Sequence, residues 1–150
     1  NAESIVHQLQ AAKTFFARKI SQSTTPVTFL AYFQSGTNTY APVQHMQPLI
    51  EAALSVEGVR GVVLATRPDC LSDEWMNYLQ QLSQQCFVMV ELGVESIDDA
   101  VLSAVGRCHD EQLQNELLHV CIKSIYLFVC MLYSVYPMSV PTMCCVLHIG

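Results

Sequence analysis

An arginine and an aspartate two positions apart, Arg67 and Asp69, close an apolar run in VVLATRPDC. A guanidinium and a carboxylate at such a junction can pair with each other as a salt bridge and helix cap, or face a charged ligand. Two further carboxylates, Glu91 and Glu95, end a second apolar run in VELGVES. Asn38 follows a third, in YFQSGTNTYAP. Taken singly, these are equally ordinary capping carboxylates and a turn residue. Seven cysteines, at positions 70, 86, 108, 121, 130, 144 and 145, raise the question of metal or disulfide chemistry. Their spacing argues against it. There is no CxxC pair and no CxxxCxxC loop, and adjacent Cys144 and Cys145 are poorly placed to share one metal. They read as small buried hydrophobes in a reducing compartment, which points to the cytoplasm. His109, within GRCHD, reads as structural.

Three strand–helix units must position these groups. Ser4 is placed to cap a first helix whose Ile5, Leu9, Ala12, Phe16 and Ile20 share one face. After the polar break 21–26, residues 27–33 read as a strand. Val43, Met46, Ile50 and Ala53 recur at helical spacing, and Pro48 predicts that the regular helix begins only near Gln47. The second unit is a strand over 59–66 and a helix opened by Ser72, with Asp73 and Glu74 in its first turn and Trp75, Leu79 and Leu82 on one stripe. The third is a strand over 86–92, then Ser96 and Asp99 as a capping box for a helix through Val101, Leu102 and Val105.

All three strands are apolar on both faces, the pattern of a parallel sheet covered by helices. Their spacing of about thirty residues suits right-handed βαβ crossovers. The fold class is α/β, as a piece of a barrel or as a doubly wound sheet. In either, the polar strand ends open on one side, where ligands bind.

The chain has 150 residues and a net charge of −6, enough for one domain with a core and without a basic face for nucleic acid. Composition breaks near residue 116. All thirteen acidic residues and six of the seven basic ones precede the break, leaving Lys123 as the tail's one formal charge. Residues 125–133 are almost unbroken apolar sequence, short for a membrane span. The tail 117–150 is open to three readings: a membrane anchor, a buried terminal helix, or sequence foreign to the domain. Its lack of a polar face favours the last.

FLAYFQSGTNTYAP, ATRPDCLSDE, VELGVES and GRCHD, in this order across about residues 4–110, resemble successive signatures of the radical S-adenosylmethionine (radical SAM) superfamily. The resemblance is closest to the branch of Fe–S oxidoreductases near MiaB, NifB and the Elongator catalytic subunit. It implies a fragment of a partial (βα)6 TIM-type barrel over residues 1–116. It also implies a [4Fe–4S] cluster that cleaves S-adenosylmethionine, with a tRNA or another macromolecule among the possible substrates. By the same resemblance, Ser35, Gly36 and Thr37 correspond to the turn that binds the methionine amino group. Arg67, Asp69, Glu91 and Glu95 correspond to later strand ends that contact the cofactor or substrate.

The departures are definite. The family's three cluster cysteines are expected upstream of Asn1, and none of the seven here takes their place. Gly36 stands where this branch usually has an aromatic residue. After residue 116 nothing matches, and the fifth and sixth barrel strands are missing from the pattern. The expectation is a chain inactive by itself, with a non-catalytic binding or membrane-anchored remnant as the alternative.

Overall fold

The computed structural model describes residues 1–22, 27–96, 98–113, 116, 126–131 and 144–149, with backbone alone at 18–20, 95, 126–131 and 144–149. Helix α1 (Ala2–Ser21) starts on Asn1, whose side-chain oxygen accepts from the Ser4 backbone N–H at 2.9 Å. The cap is therefore Asn1, one turn before the expected Ser4, because the carboxamide reaches an N–H left free at the helix start. Ser4 lies inside the helix, and its hydroxyl accepts from Gln8 instead. Ile5 and Leu9 are buried, with Ala12 and Phe16 packed against the core.

Strand β1 (Thr28–Phe33) is followed by helix α2 (Val43–Leu54). This helix begins four residues before the point that Pro48 suggested, so Pro48 lies inside it. Strand β2 (Val59–Thr66) and helix α3 (Asp73–Ser83) match the sequence reading. The Ser72 hydroxyl caps α3 by accepting from the Trp75 N–H, and Trp75, Met76, Leu79 and Leu82 are buried. Strand β3 (Phe87–Glu95) runs three residues further than its apolar run.

Helix α4 (Asp99–Ala104) is capped by Asp98, which accepts from the Ala100 N–H at 2.8 Å. The expected Ser96–Asp99 capping box is thus displaced. Ser96 accepts from the Asp98 N–H, and Asp99 accepts from the Glu111 N–H across the following loop. Of the predicted apolar positions Leu102 is buried, whereas Val101 and Val105 are exposed.

Two segments of the tail join the sheet. Strand β4 (Tyr126–Met131) pairs in parallel with β3, and strand β5 (Cys144–Ile149) pairs in parallel with β1. The order is β4-β3-β2-β1-β5, with every neighbouring pair parallel. The sheet thus has five strands where the sequence pattern predicts three. An unpaired strand edge is a row of unsatisfied N–H and C=O groups, and short apolar runs of strand length can fill it. Among the described residues, no helix is long and apolar enough to cross a membrane.

Strand periodicity sorts the sheet's two faces. Phe29, Ala31 and Phe33 of β1, Val62 and Leu64 of β2, and Val88, Val90, Leu92 and Val94 of β3 belong to one buried cluster with α1, α2 and α3. The alternate positions, among them Tyr32, Val63, Ala65, Glu91 and Gly93, point to the other face. Gly61 also belongs to the interior of the sheet: a Cβ there would lie 2.1 Å from the Phe87 carbonyl oxygen. Any larger residue at this position pushes β2 away from β3.

Candidate functional site

The strand ends supply the site. Beyond β1 the chain turns at Gly36, whose φ of +72° is readily adopted by glycine alone. Asn38 then donates through its side-chain amide to the carbonyls of Phe33, at 2.7 Å, and Ala65, at 2.9 Å. One side chain thereby ties the ends of β1 and β2 together through two backbone carbonyls. Just behind it the buried hydroxyls of Thr39 and Thr66 share a hydrogen bond.

At the end of β2, Arg67 donates from Nε and Nη2 to the two oxygens of Asp69, at 2.9 and 2.6 Å. The short 3-10 turn Pro68–Cys70 brings the carboxylate back to the guanidinium. Burial opposes ionisation of Asp69, but the hydrogen bond and positive charge of Arg67 outweigh it, leaving its pKa below the usual carboxylate value. The same hydrogen bond holds Arg67 more firmly protonated than a free arginine. From β3, Glu91 accepts a hydrogen bond from the Tyr32 hydroxyl.

A cavity of about 280 Å3 opens at these ends, lined by Gly36, Thr37, Ala65, Thr66, Arg67, Glu91, Gly93 and Arg107. It lies near the lower limit of roughly 300–1,000 Å3 usual for small-molecule pockets. Ala65, Glu91 and Gly93 are alternate-face positions, so the cavity occupies the face away from the helical core. Two small residues flanking a carboxylate leave room where larger side chains would fill it.

Of the residues singled out in the sequence, Gly36, Thr37, Arg67 and Glu91 meet at this cavity. Ser35 and Asp69 are not in its lining, and Asp69 acts on it through Arg67. Glu95 ends β3, and its side chain lies outside the described residues. Tyr32, Thr66 and Arg107 were not singled out. Arg107 was visible within GRCHD, but only the fold carries it to the strand ends. The polar lining offers one carboxylate, two guanidinium groups and the Thr37 hydroxyl, which suits a ligand carrying both charges.

An iron–sulfur cluster asks for three thiolates held together. Among the described residues, no group of three His, Cys, Asp or Glu side chains is placed to hold a metal. Cys70, Cys86 and Cys108 sit respectively after β2, before β3 and after α4. Burial also raises the thiol pKa of Cys70, with the Asp69 charge adding to it, and of Cys86. The donor set described here does not fit a [4Fe–4S] cluster.

No family model matches the sequence. Over 82 residues, 55% of the chain, it is 39% identical to the uncharacterized protein YtqA of Bacillus subtilis, covering 26% of that protein. Over 83 residues it is 36% identical to an uncharacterized protein of Methanocaldococcus jannaschii and to protein YhcC of Escherichia coli K12, covering 26% and 27% of them. The chain thus spans about a quarter of the length of the curated relatives it matches. Among solved structures, the Elp3 of the archaeon Methanocaldococcus infernus, with its N-terminal residues 1–46 deleted, matches at a TM-score of 0.62. That match covers 88% of this chain and 35% of the other, at 16% identity. At such identity the likeness is one of fold: a parallel α/β sheet with its helices.

Proposed function

We propose that this chain is a piece of a radical SAM domain, the part whose strand ends hold S-adenosylmethionine. The observation that carries the reading is the convergence of Gly36 and Thr37 after β1, Arg67 after β2 and Glu91 from within β3, three consecutive strands, on one cavity. The cavity's position supports a partial barrel over a doubly wound sheet. In a barrel, helices cover the outer face while polar groups gather inside, above the strand ends. A doubly wound sheet would cover both faces with helices.

The chemistry of the lining suits the proposed ligand. Glu91 is a partner for a cationic or hydroxyl-bearing portion, Arg67 and Arg107 for its carboxylate, and the Thr37 hydroxyl for a polar edge. The complete domain would use a [4Fe–4S] cluster for the reductive cleavage, and its cysteines come from outside the residues described here. By itself the chain binds and orients. That mismatch of thiols also favours, as a second reading, a binding module that generates no radical.

The test is a titration of the isotope-labelled chain with S-adenosylmethionine, followed by amide chemical shifts. Binding should move Gly36, Thr37 and Gly93 together. Arg67→Ala or Glu91→Gln should each weaken it by about tenfold, the scale of one charged hydrogen bond. Shifts scattered away from the strand ends, or none at millimolar ligand, would sink the reading.

A further inference from the structure

The His109 side chain is completely buried, 0% exposed, yet its two ring nitrogens are unequally served. Nε2 lies 3.3 Å from the carbonyl oxygen of Val94, near the end of β3. A carbonyl only accepts, so the hydrogen sits on Nε2. Nδ1 has no hydrogen-bond partner and faces Oδ1 of Asp69 at 3.7 Å, beyond hydrogen-bonding reach. A buried nitrogen without a partner is unfavourable, so its presence calls for a reason.

The reason lies in what the ring brings with it. Gly106, at φ +71°, ends α4, with its N–H bonded to the Ser103 carbonyl and the Arg107 N–H bonded to that of Leu102. This left-handed cap turns the chain back toward the strand ends. Arg107 then lines the cavity, while His109, two residues on, is pinned to β3. Asp69 stands between Arg67, which it grips at two points, and the His109 ring. The loop and the end of β2 are therefore assembled around one carboxylate.

We infer that His109 is a positioning residue, a latch that holds loop 106–110 so that Arg107 joins Arg67 in the cavity and the pair receives one carboxylate of the ligand. This rests on the cavity being the ligand site proposed above. The histidine does not touch the ligand. It fixes the second arginine through the Val94 carbonyl.

Hydrogen exchange of the 150-residue chain reads the latch without any ligand. His109→Leu fills the same space without a donor and should speed exchange at residues 107–110 about tenfold, leaving the amides of β1–β3 unchanged. His109→Gln, whose amide can still donate to Val94, should restore most of the protection. Unchanged exchange in His109→Leu, equal acceleration throughout the sheet, or no rescue by glutamine would each overturn the latch.

Titration with S-adenosylhomocysteine supplies the second arm. Arg107→Ala and His109→Leu should each weaken binding about tenfold, and the double variant should be no weaker than Arg107→Ala. Additive losses would overturn the coupling. If the unmodified chain does not bind this probe, the cavity reading falls, and the exchange result alone decides whether His109 is a latch.

Discussion

Tyr32 and Glu91 are joined across an intervening strand: the hydroxyl on β1 donates to Oε2 of the carboxylate on β3, with β2 between them. The two residues lie 59 positions apart in sequence, on the sheet face that carries the cavity. Glu91 therefore enters the cavity with its orientation already set from behind.

Tyr32→Phe keeps the ring and removes this donor. The hydrogen bond is partly buried and its acceptor is a carboxylate, so the loss should be about 1–2 kcal/mol of stability. Urea unfolding should show a lower midpoint at an unchanged slope. An unaltered midpoint would mean that Glu91 is held by other groups.

Gly61 limits how closely β2 and β3 approach. It pairs with Phe87, and an added Cβ would meet that residue's carbonyl oxygen at 2.1 Å and its Cβ at 2.7 Å. Backbone cannot swing aside as a flexible side chain can. Gly61→Ala should cost about 3 kcal/mol or prevent folding, the upper range for overpacking. Thermal unfolding of the variant beside the parent decides it: a midpoint within a degree or two would contradict the close contact.

What was legible in the sequence was mostly what is decided locally. Strand β2 is an apolar run bounded by Gly58 and Pro68, and α3 carries its cap and its buried stripe within eleven residues. Ser96 and Asp99 misled because the neighbouring Asp98 reaches the Ala100 N–H more directly. Pro48 misled because a helix already begun at Val43 accommodates it. Strands β4 and β5 were hidden by composition: continuous apolar runs carry no period, and their partners lie more than thirty residues away. The site divided in the same way. Arg67 could be found from the end of its own strand, and Glu91 from the break it makes in an apolar run. Tyr32 and Arg107 depend on a pairing and on a folded-back loop, which no local pattern encodes.

Asp69 predicts an acid-sensitive stability. Burial raises its proton affinity, but the hydrogen bond and charge of Arg67 lower it further, so the folded pKa lies below the unfolded one. The ion pair's contribution is therefore complete above about pH 4, the unfolded carboxylate range, and disappears as the pH falls through the folded value. In that window the unfolded chain binds more protons, and stability rises with pH. Asp69→Asn should be less stable near neutrality and show a flatter decline below about pH 4. Thermal midpoints measured in pH steps supply both curves, and parallel curves would refute the role given to Arg67.

The thiols test the mismatch with an iron–sulfur cluster. Alkylation and iron binding both require the thiolate. Burial keeps Cys70 and Cys86 protonated to higher pH, and for Cys70 the neighbouring Asp69 charge adds to the effect, whereas Cys108 is exposed. At neutral pH iodoacetamide should label Cys108 about tenfold faster than the other two, a difference that denaturation abolishes. Peptide mapping by mass spectrometry resolves the three sites. Equal labelling in the folded chain would mean that Cys70 and Cys86 are open thiolates, and the reason for placing the cluster's ligands elsewhere would weaken accordingly. Slow labelling at both would leave Cys108 as the one accessible thiol of the three, and one thiol does not hold a four-iron cluster.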